Sequence, residues 1–241
     1  MRIPIHPQPE SPELRFRHEL KYLIQSQQLY TIRSQLPDLM QPDPHAGADG
    51  CYRIRSLYFD DYRNTAYYEN ANGTEPREKF RLRIYNGSAE NIRLELKRKE
   101  HSMIHKRWCV LTREQAEAMA KGIPLPWDED MDSLLKKFYI LQETRLLRPK
   151  IIVEYDRIPY IYPDGNVRVT LDLNICASHC VEDFLQDSIL TRPVMPLGTN
   201  LLEVKYNQLL PDFIYRSLQC RDLQRVTYSK YFYCRKYGDL L

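Results

Sequence analysis

Glycine is scarce in this chain, with only eight among 241 residues. None belongs to a Gly-rich phosphate loop of the Walker or Rossmann type, so any phosphate must be held by side chains. Long apolar runs are missing too. None approaches the roughly 20 residues that cross a bilayer, and the opening residues lack the apolar stretch of a secretory signal. The expectation is a soluble, cytoplasmic protein without a membrane segment. A strong charge imbalance is also absent. The formal net charge is +3, well short of a nucleic-acid binder with its exposed basic patch, so no nucleic-acid partner is expected. The six cysteines have irregular spacings. Cys176-Ala-Ser-His179-Cys180 lacks the second ligand pair of a zinc site and reads as buried free thiols. No histidine stands in a base–nucleophile arrangement.

What remains is a chain that is 43% hydrophobic, enough to bury a core, and that is built from alternating strands. Residues 1–12 are Pro-rich and read as a flexible arm. Residues 13–241 read as a single domain. Lys79-Phe-Arg-Leu-Arg-Ile-Tyr85 sets the pattern, with a basic face of Lys79, Arg81 and Arg83 and an apolar face of Phe80, Leu82 and Ile84. The same period of two predicts strands over 13–22, 52–59, 92–99, 104–111, 150–157, 166–175 and 201–206. Asn86-Gly87 is a hairpin signal. Helices are expected over 27–36, with Ser26 as N-cap and Pro37 as stop, and after the Thr112/Gln115 capping box up to Gly122. Further helices are expected over 129–147 and from Pro211 onward.

Two structures satisfy these charged faces. Each face could meet solvent from an ordinary antiparallel sheet. Alternatively, about eight strands could close into a barrel, with charges lining the interior and amphipathic helices outside. The faces combine cations with isolated glutamates, and like charges side by side across a sheet are destabilising unless an anion lies between them. The composition thus suits a polyanion, and the carboxylates suit a divalent cation such as Mg2+ or Mn2+. Tyr22, Tyr58 and Tyr155 read as packing residues beneath the helices, with a place near the ligand as the alternative for Tyr155. Arg157 shares its face with Ile151, Val153 and Tyr155, so a bulge or a tilt before Pro159 would be needed to turn it inward.

A series of short motifs occurs in order: Arg17-His-Glu-Leu-Lys-Tyr22, Ser56-Leu-Tyr-Phe-Asp60, Phe80-Arg-Leu-Arg-Ile-Tyr85, Leu94-Glu-Leu-Lys97, Glu154-Tyr-Asp-Arg157, Arg168-Val-Thr-Leu-Asp172 and Leu202-Glu-Val-Lys205. Together they resemble the VTC domain, the polyphosphate-polymerase domain of the vacuolar transporter chaperone complex. That domain belongs to the triphosphate tunnel metalloenzymes, which include the CYTH proteins. The resemblance covers residues 14–235. It implies an α+β fold, an antiparallel β-barrel tunnel with a charged lumen, using Mn2+ or Mg2+ and transferring the γ-phosphate of ATP to polyphosphate. Carried over by position, Glu19 and Lys21 match the E-x-K strand, and Arg81 and Arg83 the paired tunnel arginines. Lys97 and Lys106 match tunnel lysines, Arg157 and Arg168 the arginines of the second half. Glu203 matches the metal-binding glutamate, with Glu19 as a second candidate, and Lys230 the lysine that closes the site. Neither an SPX-like sensor domain nor a transmembrane part is expected. Two alternatives stay open: a triphosphate or nucleoside-triphosphate hydrolase of the same fold, and a non-catalytic polyphosphate-binding module.

Overall fold

A computed structural model describes residues 17–101, 103–218 and 223–238. The predicted arm 1–12, and residues 13–16 of the first predicted strand, lie outside the described residues. In chain order the strands are β1 (His18–Gln25), β2 (Gln41–Pro42), β3 (Tyr52–Asp60), β4 (Arg77–Tyr85), β5 (Ser88–Glu100), β6 (Met103–Leu111), β7 (Arg148–Tyr162), β8 (Val167–Ser178), β9 (Arg192–Pro193) and β10 (Thr199–Tyr206). The α-helices are α1 (Ser26–Leu39), α2 (Thr65–Ala71), α3 (Arg113–Ala120), α4 (Ser133–Arg145), α5 (Asp212–Ser217) and α6 (Lys230–Gly238). Among the described residues no helix is long and apolar enough to cross a membrane.

The strands form one antiparallel sheet in the order β1-β10-β8-β7-β3-β4-β5-β6, with the two-residue strands β2 and β9 beside β7 and β8. The sheet curls until its edges meet, and the Arg17 N–H donates to the Ile104 carbonyl at 3.4 Å. Farther along the seam, residues 225–226 run against β1, with the Val226 N–H donating to the Lys21 carbonyl at 2.9 Å. The expected tunnel architecture is therefore present.

Local chemistry explains most of the boundaries. Asn86 and Gly87 have φ of 52° and 72°, the left-handed pair that a tight hairpin demands. Thr112 caps α3 by accepting from the Gln115 N–H at 3.2 Å. The start of α1 differs from expectation. The Ser26 hydroxyl donates to the Gly198 carbonyl, while Gln28 accepts the Gln25 N–H at 2.8 Å. The helix also runs through Pro37 to Leu39, because a proline in the last turn removes only one helical hydrogen bond.

Two apolar layers cover the outside of the barrel. The outward residues Phe80, Leu82, Leu94 and Leu96 bury against Met119 of α3 and Leu134 and Phe138 of α4. Val169, Leu171, Leu202 and Val204 bury against Ile32 and Leu36 of α1 and Ile214 of α5. Each such side chain contributes about 1.5–3 kcal/mol. The third apolar cluster lies on the inner face of the sheet, where α6 packs. Tyr231 and Cys234 of α6 bury against Ile151, Val153, Ile175, Ala177 and Leu201. These strand residues share the inner face with the charged ones, so one end of the lumen is filled by α6.

Candidate functional site

Register places the side chains. Residues directly opposite in an antiparallel pair share a face. Lys21 stands opposite Glu203 and Glu19 opposite Lys205. Glu203 faces Thr170 and Lys205 faces Arg168. Asp172 pairs with Arg157 and Arg157 with Tyr52. Ser56 pairs with Arg83 and Tyr58 with Arg81. Arg81 pairs with Glu95, and Lys79, Lys97 and Lys106 lie in one row. All of these line the inner face. Arg157 needs no bulge of its own to do so. Ile151, Val153 and Tyr155 point inward with it, the first two against α6.

The deepest cluster is built on β8 and β10. Glu203 takes Lys205 at 2.7 Å and Lys230 at 2.9 Å, with Arg157 at 3.5 Å and Lys21 at 3.6 Å. Asp172 receives both arms of Arg157, at 2.6 and 2.7 Å, and Lys230 at 2.5 Å. Lys230 arrives because residues 225–226 pair along β1 before α6 turns into the barrel. Its ammonium also lies 4.6 Å from the Tyr155 ring centroid. Burial alone would raise the Glu203 carboxyl, but Lys205, Lys230, Lys21 and Arg157 outweigh it and hold the group well below the usual range. Glu19 behaves alike, with Lys21 and Lys97 the main opponents of burial.

A second cluster is built on β4, β5 and β6. Glu95, fully buried, accepts from Arg81 at 2.6 Å and Lys106 at 3.0 Å, with Arg83 at 3.7 Å. Arg81 also donates to the Tyr58 hydroxyl at 2.9 Å, and Arg83 to Ser56 at 3.2 Å and Tyr155 at 3.3 Å. Tyr58 and Tyr155 are thus lumen residues that orient the two guanidinium forks, not packing residues under outer helices. Burial pushes the Glu95 carboxyl up, and Arg81, Arg83 and Lys106 pull it well below the usual range.

Exposure grades from floor to mouth. The side chain of Lys230 is 7% exposed, those of Lys97 and Lys106 31% and 41%. Lys97 reaches Glu19 at 3.0 Å, and burial draws its ammonium down to about 8 although Glu19 raises it. Arg168 stays apart from both clusters. It pairs with Asp43 at 2.5 Å and donates to the Tyr52 hydroxyl at 2.8 Å.

The sequence reasoning passed over several residues of this lumen. Lys79 donates to Asn70 at 2.7 Å and Ser229 at 3.0 Å, and burial among Lys97, Arg77 and Lys21 depresses its ammonium well below the usual value. Asp172 and Lys205 belong to the deep cluster. The signal was available, since Lys79 and Lys205 each lie two residues from a chosen residue on the same strand and Asp172 lies four from Arg168. With them, nine cationic groups (Lys21, Lys79, Arg81, Arg83, Lys97, Lys106, Arg157, Lys205, Lys230) face four carboxylates (Glu19, Glu95, Asp172, Glu203). Such an excess in a channel is relieved by a bound anion or by loss of protons, and the depressed ammonium groups of Lys79 and Lys97 show the strain of crowding cations together.

The lumen also fits a hard divalent cation. Glu19 and Glu203 share Lys21, at 3.7 and 3.6 Å, and Lys205, at 3.6 and 2.7 Å. The buried Thr170 hydroxyl, opposite Glu203 in register, has no hydrogen-bond partner. Among the described residues no group of three His, Cys, Asp or Glu could hold an ion.

Comparison with known proteins agrees with this architecture. The family model described as the VTC domain matches residues 16–237. No curated protein sequence matches the chain. Among solved structures, an adenylyl cyclase candidate from Hippeastrum, described as having a dominant triphosphatase activity, superposes with a TM-score of 0.53 at 14% identity, over 92% of this chain and 95% of that one. A candidate adenylate cyclase from Bacillus halodurans superposes with a TM-score of 0.48 at 15% identity, over 84% and 87%. At 14% identity the likeness to the Hippeastrum protein concerns the fold alone.

Proposed function

The chain belongs to the VTC domain family, and on that premise we propose that it is a metal-dependent phosphotransferase that transfers the γ-phosphate of ATP to a polyphosphate chain held in the basic lumen. Membership implies triphosphate-related chemistry and a divalent metal. The choice of Mn2+ or Mg2+, of ATP and polyphosphate, and of the residue roles below belongs to the proposal.

The carrying observation is the convergence of Lys21, Arg81, Arg83, Lys97, Arg157 and Lys230 on one buried channel that also contains Glu203. Phosphoryl transfer asks for neutralised charge and in-line alignment rather than covalent work by the protein. Arg81 and Arg83, held by Tyr58, Ser56 and Tyr155, present planar forks to phosphate oxygens. Lys97 and Lys106 supply point charges toward the mouth, and Lys21, Arg157 and Lys230 in the deeper cluster. Arg168 steers the anion at the entrance. Glu203 and Glu19 would hold the metal, which when bound would supply positive charge to offset that of the phosphates. A terminal phosphate oxygen of the chain forms the new bond to the γ-phosphorus while the bond to the β-phosphate oxygen breaks and ADP leaves. That acceptor is already anionic and needs no base. The lumen carboxylates, held low by their cations, are poor bases.

A second reading has its own support. Because α6 fills one end of the lumen, a short substrate entering by the other end suits the cavity, as in hydrolysis of tripolyphosphate or a nucleoside triphosphate. Incubation with ATP and Mn2+, followed by gel analysis, separates the two. Long chains support transfer. Free phosphate without chains supports hydrolysis and overturns it. Binding of polyphosphate with no turnover would leave a binding module.

A further inference from the structure

The lumen face continues past the arginine pair into a group of different chemistry. Two residues beyond Arg83 on β4 is Tyr85. Two beyond Lys106 on β6 is Trp108, opposite Glu95 in register. Two before Glu95 on β5 is Arg93. The Arg93 guanidinium lies 4.6 Å from the Trp108 ring centroid and 5.9 Å from that of Tyr85. Tyr52 meets Tyr85 edge-on, with centroids 5.8 Å apart at 70°. Tyr85, Arg93 and Trp108 are all half-buried.

We propose that Trp108, Arg93 and Tyr85 form a stacking platform for the base of a purine nucleotide whose triphosphate lies among Arg81, Arg83 and Lys106. This inference rests on the triphosphate reading of the lumen and adds the part of the substrate that reading leaves unplaced. Strand geometry supports it. Tyr85 lies two residues, about 6.7 Å, along β4 from Arg83, while Arg93 stands directly opposite Arg83 and Trp108 opposite Glu95, the partner of Arg81, so the platform borders the phosphate forks. The chemistry supports it too. A guanidinium over an indole is already a flat, stiff cation–π surface. A base can stack on it or exchange with the guanidinium, as bases do on aromatic and arginine surfaces in single-stranded nucleic-acid sites. Stacking reads the π-face and not the base edge, so adenine and guanine bind alike and inorganic tripolyphosphate gains nothing from the platform.

The chain has two tryptophans, and Trp127 is hydrogen-bonded to Glu129 and lies against Tyr139 of α4. In a Trp127→Phe protein the emission therefore reports Trp108 alone. Titration with adenosine β,γ-imidotriphosphate and Mg2+ is expected to quench that emission, and tripolyphosphate with Mg2+ to bind without quenching. Trp108→Ala, in the otherwise natural chain, is expected to weaken the imidotriphosphate about tenfold by calorimetry while leaving the tripolyphosphate Kd unchanged, and Trp108→Phe to restore most of the loss. Equal effects on both ligands would mark Trp108 as structural and overturn the platform. So would unquenched binding of the nucleotide. If neither ligand binds, the triphosphate reading itself fails and the platform falls with it. Tripolyphosphate binding without any nucleotide preference overturns the platform alone.

Discussion

Lys230 sits 2.9 Å from Glu203 and 2.5 Å from Asp172, joining the last helix to the two strands at the floor of the lumen. This contact couples the site to the fold. The same helix that fills one end of the barrel supplies the cation that compensates its deepest carboxylates.

Removing Glu203 separates structure from chemistry. Glu203→Ala leaves Lys205, Lys230, Lys21 and Arg157 without a shared counter-charge. Breaking a buried ion pair costs about 3–5 kcal/mol. Thermal unfolding should therefore start lower in the variant, and tripolyphosphate should recover more Tm there than in the unaltered protein. Turnover of ATP with Mn2+ should be lost while polyphosphate still binds. Undiminished turnover would remove Glu203 from the metal's ligands.

The paired arginines act through planar forks, so charge alone should not replace them. Arg83→Lys keeps the charge but loses the hydrogen bonds to Ser56 and Tyr155. A hydrogen bond to a charged group is worth about 1.5–3 kcal/mol, so tripolyphosphate affinity should fall by roughly one to two orders of magnitude in calorimetry. An unchanged Kd would show that Arg83 acts only as a point charge.

Lys97 titrates near 8 in the free lumen, where burial disfavours its charge. An anion bound beside it favours the charged form and raises that value. Affinity should therefore be level below pH 8 and fall as pH rises through 8 to 9, by up to tenfold per pH unit for this group. Lys97→Arg, charged throughout, should flatten the profile. A profile unchanged by the substitution would place the anion away from Lys97.

Lys79 is half-buried on neutral partners, Asn70 and Ser229, among other cations. Lys79→Met removes a desolvated charge at little cost in volume. It should raise Tm by about 2–4 °C, the shift expected for ~1 kcal/mol in a chain of this size, and weaken long polyphosphate more than tripolyphosphate. A fall in Tm would mean that the Ser229 contact at the start of α6 stabilises more than the charge destabilises.

The strands and their inner faces were legible in the sequence because a period of two survives wherever one face is charged. The Asn86-Gly87 hairpin and the Thr112 cap were legible for equally local reasons. The interior helix was not. A face of Tyr231 and Cys234 looks the same whether it packs outside a barrel or within it, and only tertiary contact decides. That ambiguity also hid Tyr58, whose ring reads as apolar packing until register sets it beside Arg81, and it left Tyr155 between packing and the ligand until the contact with Arg83 decided. The apparent misfit of Arg157 was the available clue. Charged and apolar residues on one face of β7 mark a lumen that is wet along part of its length and filled along the rest.

The central claim is that phosphate and metal meet inside the barrel. A crystal soaked with tripolyphosphate and Mn2+ tests it directly. Phosphate density among Arg81, Arg83, Lys97 and Lys230, with an anomalous Mn2+ peak at Glu203 and Glu19, is the predicted result. Phosphates on the outer surface, or a metal bound away from both glutamates, would contradict it.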